Sequence, residues 1–125
     1  MARQQFSTEY IIRSSPTILY NFLITPSGLA QWFSETCDIN EGIYSFGWSQ
    51  SEENAKLLET VENELVRYTW EEGEEDEFFE FKIQKAEVSN DTVLIVTDFA
   101  DEGELESQQM WWDSQIKMLM QQIGG

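Results

Sequence analysis

Residues 104–123 read ELESQQMWWDSQIKMLMQQI, and this stretch decides the architecture. Leu105, Trp112, Ile116, Leu119 and Ile123 fall on one face at the spacing of about 3.6 residues that marks an α-helix, so one long helix is expected from Glu104 to Ile123. Most of the chain before it alternates with period two, as strands with one buried face do. A sheet of sequential strands must cover its apolar face, and this helix with two short helical stretches near the start supplies the cover. The order predicts an α+β fold.

Working back from the helix, Thr92 to Phe99 and Phe78 to Val88 read as a hairpin turning around Ser89, Asn90 and Asp91. Leu65 to Trp70 and Ala55 to Val61 form another through Glu62, Asn63 and Glu64, with Asn63 suited to a left-handed conformation. The polar stretch Ser49 to Asn54 reads as a loop, and Ile43 to Trp48 and Thr36 to Ile39 as strands joined by a turn at Asn40 to Gly42. Thr25, Pro26 and Ser27 signal the start of a short helix carrying Leu29, Trp32 and Phe33. Ser14, Ser15 and Pro16 do the same for one carrying Ile18, Leu19, Phe22 and Leu23. The first strand, Gln5 to Arg13, puts Phe6, Thr8, Tyr10 and Ile12 on one face. With no repeat, linker or shift in composition, residues 1–125 are expected to form a single domain.

A chain of 125 residues has room for one core, and 41% hydrophobic with 14% aromatic residues is ample to fold it. Lys+Arg 7 against Asp+Glu 24 gives a net charge of -17, which repels phosphate backbones and anionic membrane surfaces. Neither nucleic acid nor a membrane is an expected partner; solubility is the simplest role of the charge. No apolar run reaches membrane-spanning length, and no basic region, apolar segment and cleavage site precede the first strand, so no signal peptide is expected. The single cysteine, Cys37, cannot form an internal disulfide, which fits a reducing cytoplasm as the expected location.

Three segments together resemble the START-like (SRPBCC) superfamily, and within it the activator of heat-shock protein 90 ATPase homologue-like family. Ser15-Pro16, Ile18, Tyr20-Asn21-Phe22-Leu23, Thr25-Pro26 and Leu29-Ala30-Gln31-Trp32-Phe33 look like that family's helical opening. Leu57 to Trp70, closing on Tyr68-Thr69-Trp70, is similar to its central strands. Trp112, Ile116 and Leu119 match its final helix. Trp111 departs from the pattern, which usually has a small residue there. The resemblance implies the helix-grip fold of the birch-pollen-allergen type: a curved antiparallel sheet of about seven strands, with two short helices, around a long C-terminal helix. That fold can leave an apolar cavity between sheet and helix. The family's motifs carry over no catalytic residue.

His 0 removes the commonest general base, the commonest metal ligand and every Ser-His or Cys-His nucleophile pair, which argues against hydrolase chemistry; an enzyme in the cavity would need acid-base work from Asp, Glu, Tyr or Arg alone and ranks last. Cys37 sits between Glu35 and Asp38, with no cationic neighbour to activate it, so an inert thiol is expected. Gly28, Gly42, Gly47, Gly73 and Gly103 never form a phosphate-loop spacing, and no cofactor is expected. Glu71, Glu72, Glu74, Glu75, Asp76 and Glu77 surround Gly73, but without the alternating ligand positions of a calcium loop, so they read as a solvated hairpin tip and no metal is expected. Asp91, Asp98, Asp101, Glu102 and Glu104 read the same way, those near the last helix also complementing its dipole.

The aromatic residues carry the functional expectation. Strand alternation places Phe46 and Trp48, Tyr68 and Trp70, Phe79 and Phe81, and Val93, Ile95 and Phe99 on the concave face beneath Trp112 and Ile116. With Trp32, the aromatic residues of this set, Trp112 and Ile116 are the candidate lining of a cavity for an apolar or amphipathic small molecule, against the simpler alternative that they fill a solid core. Arg67 and Thr97 are candidate orienting groups, although alternation puts Arg67 outside. Trp111 and Met118, seven residues apart on the helix, project away from the Trp112 stripe and are a candidate surface for a homodimer or a chaperone. The expected function is therefore non-enzymatic binding of a small molecule, with a protein-interaction module as the alternative.

Overall fold

The computed structural model describes residues 3–74 and 76–123. Strand β1 (Arg3–Ile12) leads into α1 (Pro16–Ile24) and α2 (Pro26–Leu29). There follow β2 (Thr36–Asn40), β3 (Ile43–Trp48), β4 (Ser51–Val61), β5 (Leu65–Trp70), β6 (Phe79–Lys85) and β7 (Thr92–Asp101). A 3-10 turn at Glu102–Glu104 then enters α3 (Leu105–Ile123). All seven strands pair antiparallel in one sheet, in the order β1-β7-β6-β5-β4-β3-β2. Successive strands from β2 onward are hairpin neighbours, and β1 lies against β7 with Phe6 opposite Asp98 and Tyr10 opposite Leu94.

The two helix starts form as their sequence signals require. Ser15 Oγ accepts from Ile18 N at 3.2 Å and Thr25 Oγ1 from Gly28 N at 3.0 Å, each with proline in the first helical turn. The other end of α1 is buried, so its last carbonyls need partners. They find them on other elements. Asn21 O accepts from Thr25 N at 3.1 Å, Phe22 O from Trp32 Nε1 at 2.8 Å, Leu23 O from the Tyr68 hydroxyl at 2.7 Å and Ile24 O from the Tyr44 hydroxyl at 2.7 Å. Two tyrosines of the sheet and one tryptophan thus complete a helix end that local sequence leaves open.

Helix α3 lies across the concave face and buries Trp112, Ile116 and Leu119. Polar ties help to hold it there. The Tyr10 hydroxyl donates to Asp113 Oδ1 at 2.7 Å, Gln115 Nε2 donates to Trp32 O at 3.1 Å and Phe33 O at 3.0 Å, and Trp112 Nε1 donates to Asp98 Oδ2 at 2.9 Å. Beneath the helix the interior is occupied by aromatic rings. Phe33, fully buried, has Phe46 at 4.8 Å, Phe79 at 5.7 Å and Trp112 at 5.9 Å between ring centroids.

The structure departs from the sequence expectations at definite points. β4 starts at Ser51, so most of the expected Ser49 to Asn54 loop is paired strand, with Trp48 opposite Ser51 and Phe46 opposite Glu53. α2 ends at Leu29, leaving Trp32 and Phe33 in the turn that follows. On β7 the inward residues are Leu94 and Val96, not Val93, Ile95 and Phe99. The register with β6, where Phe81 faces Val96 and Ile83 faces Leu94, sets that phase. Phe99 therefore points to the convex side, where its ring meets Phe78 at 5.3 Å.

The convex side also takes both proposed orienting groups. Arg67 Nε donates to Glu80 Oε1 at 2.8 Å and its guanidinium lies 4.4 Å from the Phe78 ring centroid, while the Thr97 and Ser7 hydroxyls are 2.8 Å apart. Neither group reaches the concave face. Glu77 is not simply solvated: it takes a two-bond ion pair from Arg3, at 2.9 and 2.6 Å. Glu75 lies outside the described residues. Asn63 and Asn90 turn their hairpins with φ of 63° and 61°, the left-handed geometry asparagine tolerates.

Candidate functional site

At one end of the concave face the aromatic packing stops and a groove opens. On β4 the inward positions opposite Trp48 and Phe46 are Ser51 and Glu53, a small and a polar side chain, and β5 ends at Trp70, opposite Ala55, so no β5 side chain lies beside them. They cannot fill the space under the first turns of α3. The groove that remains measures about 390 Å³ and is lined by Trp48, Ser51, Glu53, Trp70, Asp98, Gln108, Trp111 and Trp112.

Each wall is fixed by packing. Trp48 Nε1 donates to Phe33 O at 3.2 Å, and the Trp70 ring lies 4.7 Å from Phe79 and 5.8 Å from Phe46. Trp111 and Trp112 meet edge to face at 4.8 Å, and Trp111 reaches Phe33 at 6.0 Å. Four rigid indoles, each backed by other rings, form a preorganised apolar wall.

Asp98 sits in that wall and was not anticipated as a site residue. It is 8% exposed, not solvated as its acidic neighbourhood implied. Its Oδ1 accepts from Phe99 N at 2.7 Å, and its Oδ2 accepts from Trp112 Nε1 at 2.9 Å and Gln108 Nε2 at 3.1 Å. Burial pushes its carboxyl above the ordinary carboxylate range, and the three donors pull in the opposite direction. No local signal marks it, because Val93-Leu94-Ile95-Val96 is apolar at both parities and leaves the phase of the strand open.

The expected cavity residues divide into three groups. Trp48, Trp70 and Trp112 line the groove. Trp32, Phe46, Tyr68, Phe79, Phe81 and Ile116 are buried in the interior, where their side chains pack as core. Phe99 faces the other side of the sheet. Trp111 does not project freely; it is half-buried against Trp112 and Phe33 and roofs the groove. Met118, 45% exposed, borders a separate depression of about 260 Å³ beside Trp48 and Gln115. Cys37 is half-buried, and burial raises its thiol to about 11, so it carries no reactive thiolate near neutrality. Among the described residues no group of acidic or cysteine side chains is placed to hold a metal ion.

Similar folds occur in solved structures. The Bacteroides fragilis protein BfR322 is 28% identical, with a TM-score of 0.69 over 98% of this chain and 92% of its own. The Aha1 dimer from Colwellia psychrerythraea gives 0.81 at 15% identity over 96% of each chain. MLL2253 from Mesorhizobium loti gives 0.77 at 17% identity, covering 94% of this chain and 95% of its own. No curated protein matches in sequence. The seven-stranded sheet gripping one long helix is the architecture these proteins share, and the model of the START-like superfamily domain matches residues 1–125. This chain belongs to the START-like superfamily.

Proposed function

We propose that this protein is a non-enzymatic binding domain that takes an apolar or amphipathic small molecule in the groove between the open end of the sheet and the first turns of α3. The observation that carries this reading is the set of four indoles around a space of about 390 Å³. That volume lies in the range of ligand sites, roughly 300–1,000 Å³, and indoles and polar side chains share the lining about equally. The site is displaced from the centre of the concave face, because rings occupy the centre. Two features favour binding over chemistry: Asp98 has both oxygens engaged by protein donors, and no histidine exists to move a proton, although a groove carboxyl raised by burial is the group that acid-base chemistry would use. A reducing cytoplasm fits the lone Cys37, whose thiol stays protonated.

The five indole N–H signals in a proton–nitrogen NMR spectrum test the reading directly. On titration with neutral apolar and charged amphipathic compounds, Trp48, Trp70, Trp111 and Trp112 are expected to shift along one saturable curve while Trp32, outside the groove, stays in place. Trp70→Ala is expected to weaken binding about tenfold, the loss of one well-packed aromatic contact. A set of compounds that leaves all five signals unmoved defeats the proposal.

The alternative is a protein-interaction module contacting a second copy of the chain or a chaperone. Met118 at 45% and Met110 at 62% exposure on α3 favour it. Self-association through α3 predicts a sedimentation coefficient that rises with concentration in the wild type and less so in Met118→Ala. A wild type that stays monomeric, and that fails to co-elute with purified heat-shock protein 90, removes this alternative.

A further inference from the structure

We infer that the groove selects an organic cation, a small ammonium compound with an apolar body, held by four indoles and the negative charges of Glu53 and Asp98. This deepens the proposed function and rests on it. The lining contains two carboxylates and neither lysine nor arginine. Two of the chain's cationic side chains are committed elsewhere: Arg3 is paired with Glu77 and Asp101, and Arg67 with Glu80 and Glu59 on the convex side. A fatty-acid carboxylate entering the groove would meet like charge and find no counter-ion in the wall, inside a protein of net charge -17.

A cation meets the opposite situation. Indole is the ring whose face attracts a cation most strongly, at separations within about 6 Å of its centre, and the attraction grows where water is excluded. Trp48, Trp70 and Trp111, all half-buried, bound one space with the edge of the buried Trp112. Asp98 supplies charge without competing for geometry. Its oxygens already accept three hydrogen bonds from Phe99, Trp112 and Gln108. A quaternary ammonium has no N–H to donate, so it asks for negative potential and ring faces and for no further acceptor. Glu53, exposed on β4 at the same inward parity as Ala55, places the second carboxylate at the mouth.

Three compounds of equal chain length separate charge from apolarity: hexyltrimethylammonium, hexan-1-ol and hexanoate. Titrated against the intact protein and followed by the indole N–H signals, the ammonium is expected to bind at least about tenfold more tightly than the alcohol, with hexanoate weakest. Glu53→Gln, an exposed substitution that leaves the core untouched, is expected to weaken only the ammonium, by about three- to tenfold. Equal binding of ammonium and alcohol, or tighter binding of hexanoate, overturns the cation inference and leaves the groove as a binding site. Ammonium binding that Trp70→Ala does not weaken marks diffuse attraction to an acidic surface and overturns it too. If none of the three compounds moves the groove indoles, the cation inference and the proposed function fall together.

Discussion

Phe33→Ala is expected to lower the stability of the folded protein by about 3–5 kcal/mol, a large share of the roughly 5–15 kcal/mol that a domain possesses. Phe33 belongs to neither sheet nor α3, yet it is fully buried and fills the space between them. Its ring lies 4.8 Å from Phe46, 5.5 Å from Trp32, 5.7 Å from Phe79 and 5.9 Å from Trp112, so truncation leaves a void bounded by stiff rings that cannot collapse into it. The loss reaches the groove as well, since Trp48, Trp70 and Trp111 lean on the same ring from its outer side. Urea denaturation of the variant measures the effect. A midpoint close to wild type would mean that the interior rings are not packed around Phe33 as described.

Asp98→Ala carries the second large effect, about 3 kcal/mol, because it removes the acceptor of one buried donor and two half-buried ones at once. Trp112 Nε1, Gln108 Nε2 and Phe99 N all lose their acceptor, and α3 loses its tie to β7. The pH dependence gives an independent check through Asp98→Asn, which removes the titration while keeping the size. Burial raises the folded-state pKa of Asp98 above its ordinary value, so the folded protein binds this proton more tightly than the unfolded chain does. Its contribution to stability is then fully present below the ordinary carboxylate value and is lost as pH rises through the raised one. Wild type should therefore gain stability relative to Asp98→Asn as pH falls from neutrality towards the ordinary carboxylate value. Comparing the two proteins cancels the general relief of charge repulsion, which the net charge of -17 makes large in both. A wild type that loses ground to the variant on acidification would show that the three donors outweigh burial.

The elements were legible where a single local preference dominated. Ser15 and Thr25 capped their helices, Asn63 turned its hairpin with positive φ, and Trp112, Ile116 and Leu119 pointed α3 at the core. The site was less legible. Val93-Leu94-Ile95-Val96 is apolar at both parities, so alternation could not say which residues of β7 face inward, and Phe99 was placed on the wrong side. Asp98 looked like one more surface carboxylate for the same reason: its neighbours in sequence gave no phase, and only pairing with Phe6 across β1 and packing under Trp112 put it inside. Trp111 illustrates the complementary error. Helical geometry turned it away from the Trp112 stripe, but Phe33, more than seventy residues earlier, rises beside α3 and covers it.

The amino-acid order by itself determined the α+β class, the succession of strands and helices, and the apolar stripe of the last helix, because each depends on the repeat of side chains along a few consecutive residues. Only the tertiary structure decided that rings fill the middle of the concave face, that a groove survives over Ser51 and Glu53 beyond the end of β5, and that Asp98 lies in its wall. Those outcomes depend on strand register and on how side chains distant in sequence share one volume. A one-residue change of phase turns an entire strand face over, and a chain's local periodicity carries no information about which phase its neighbours will impose.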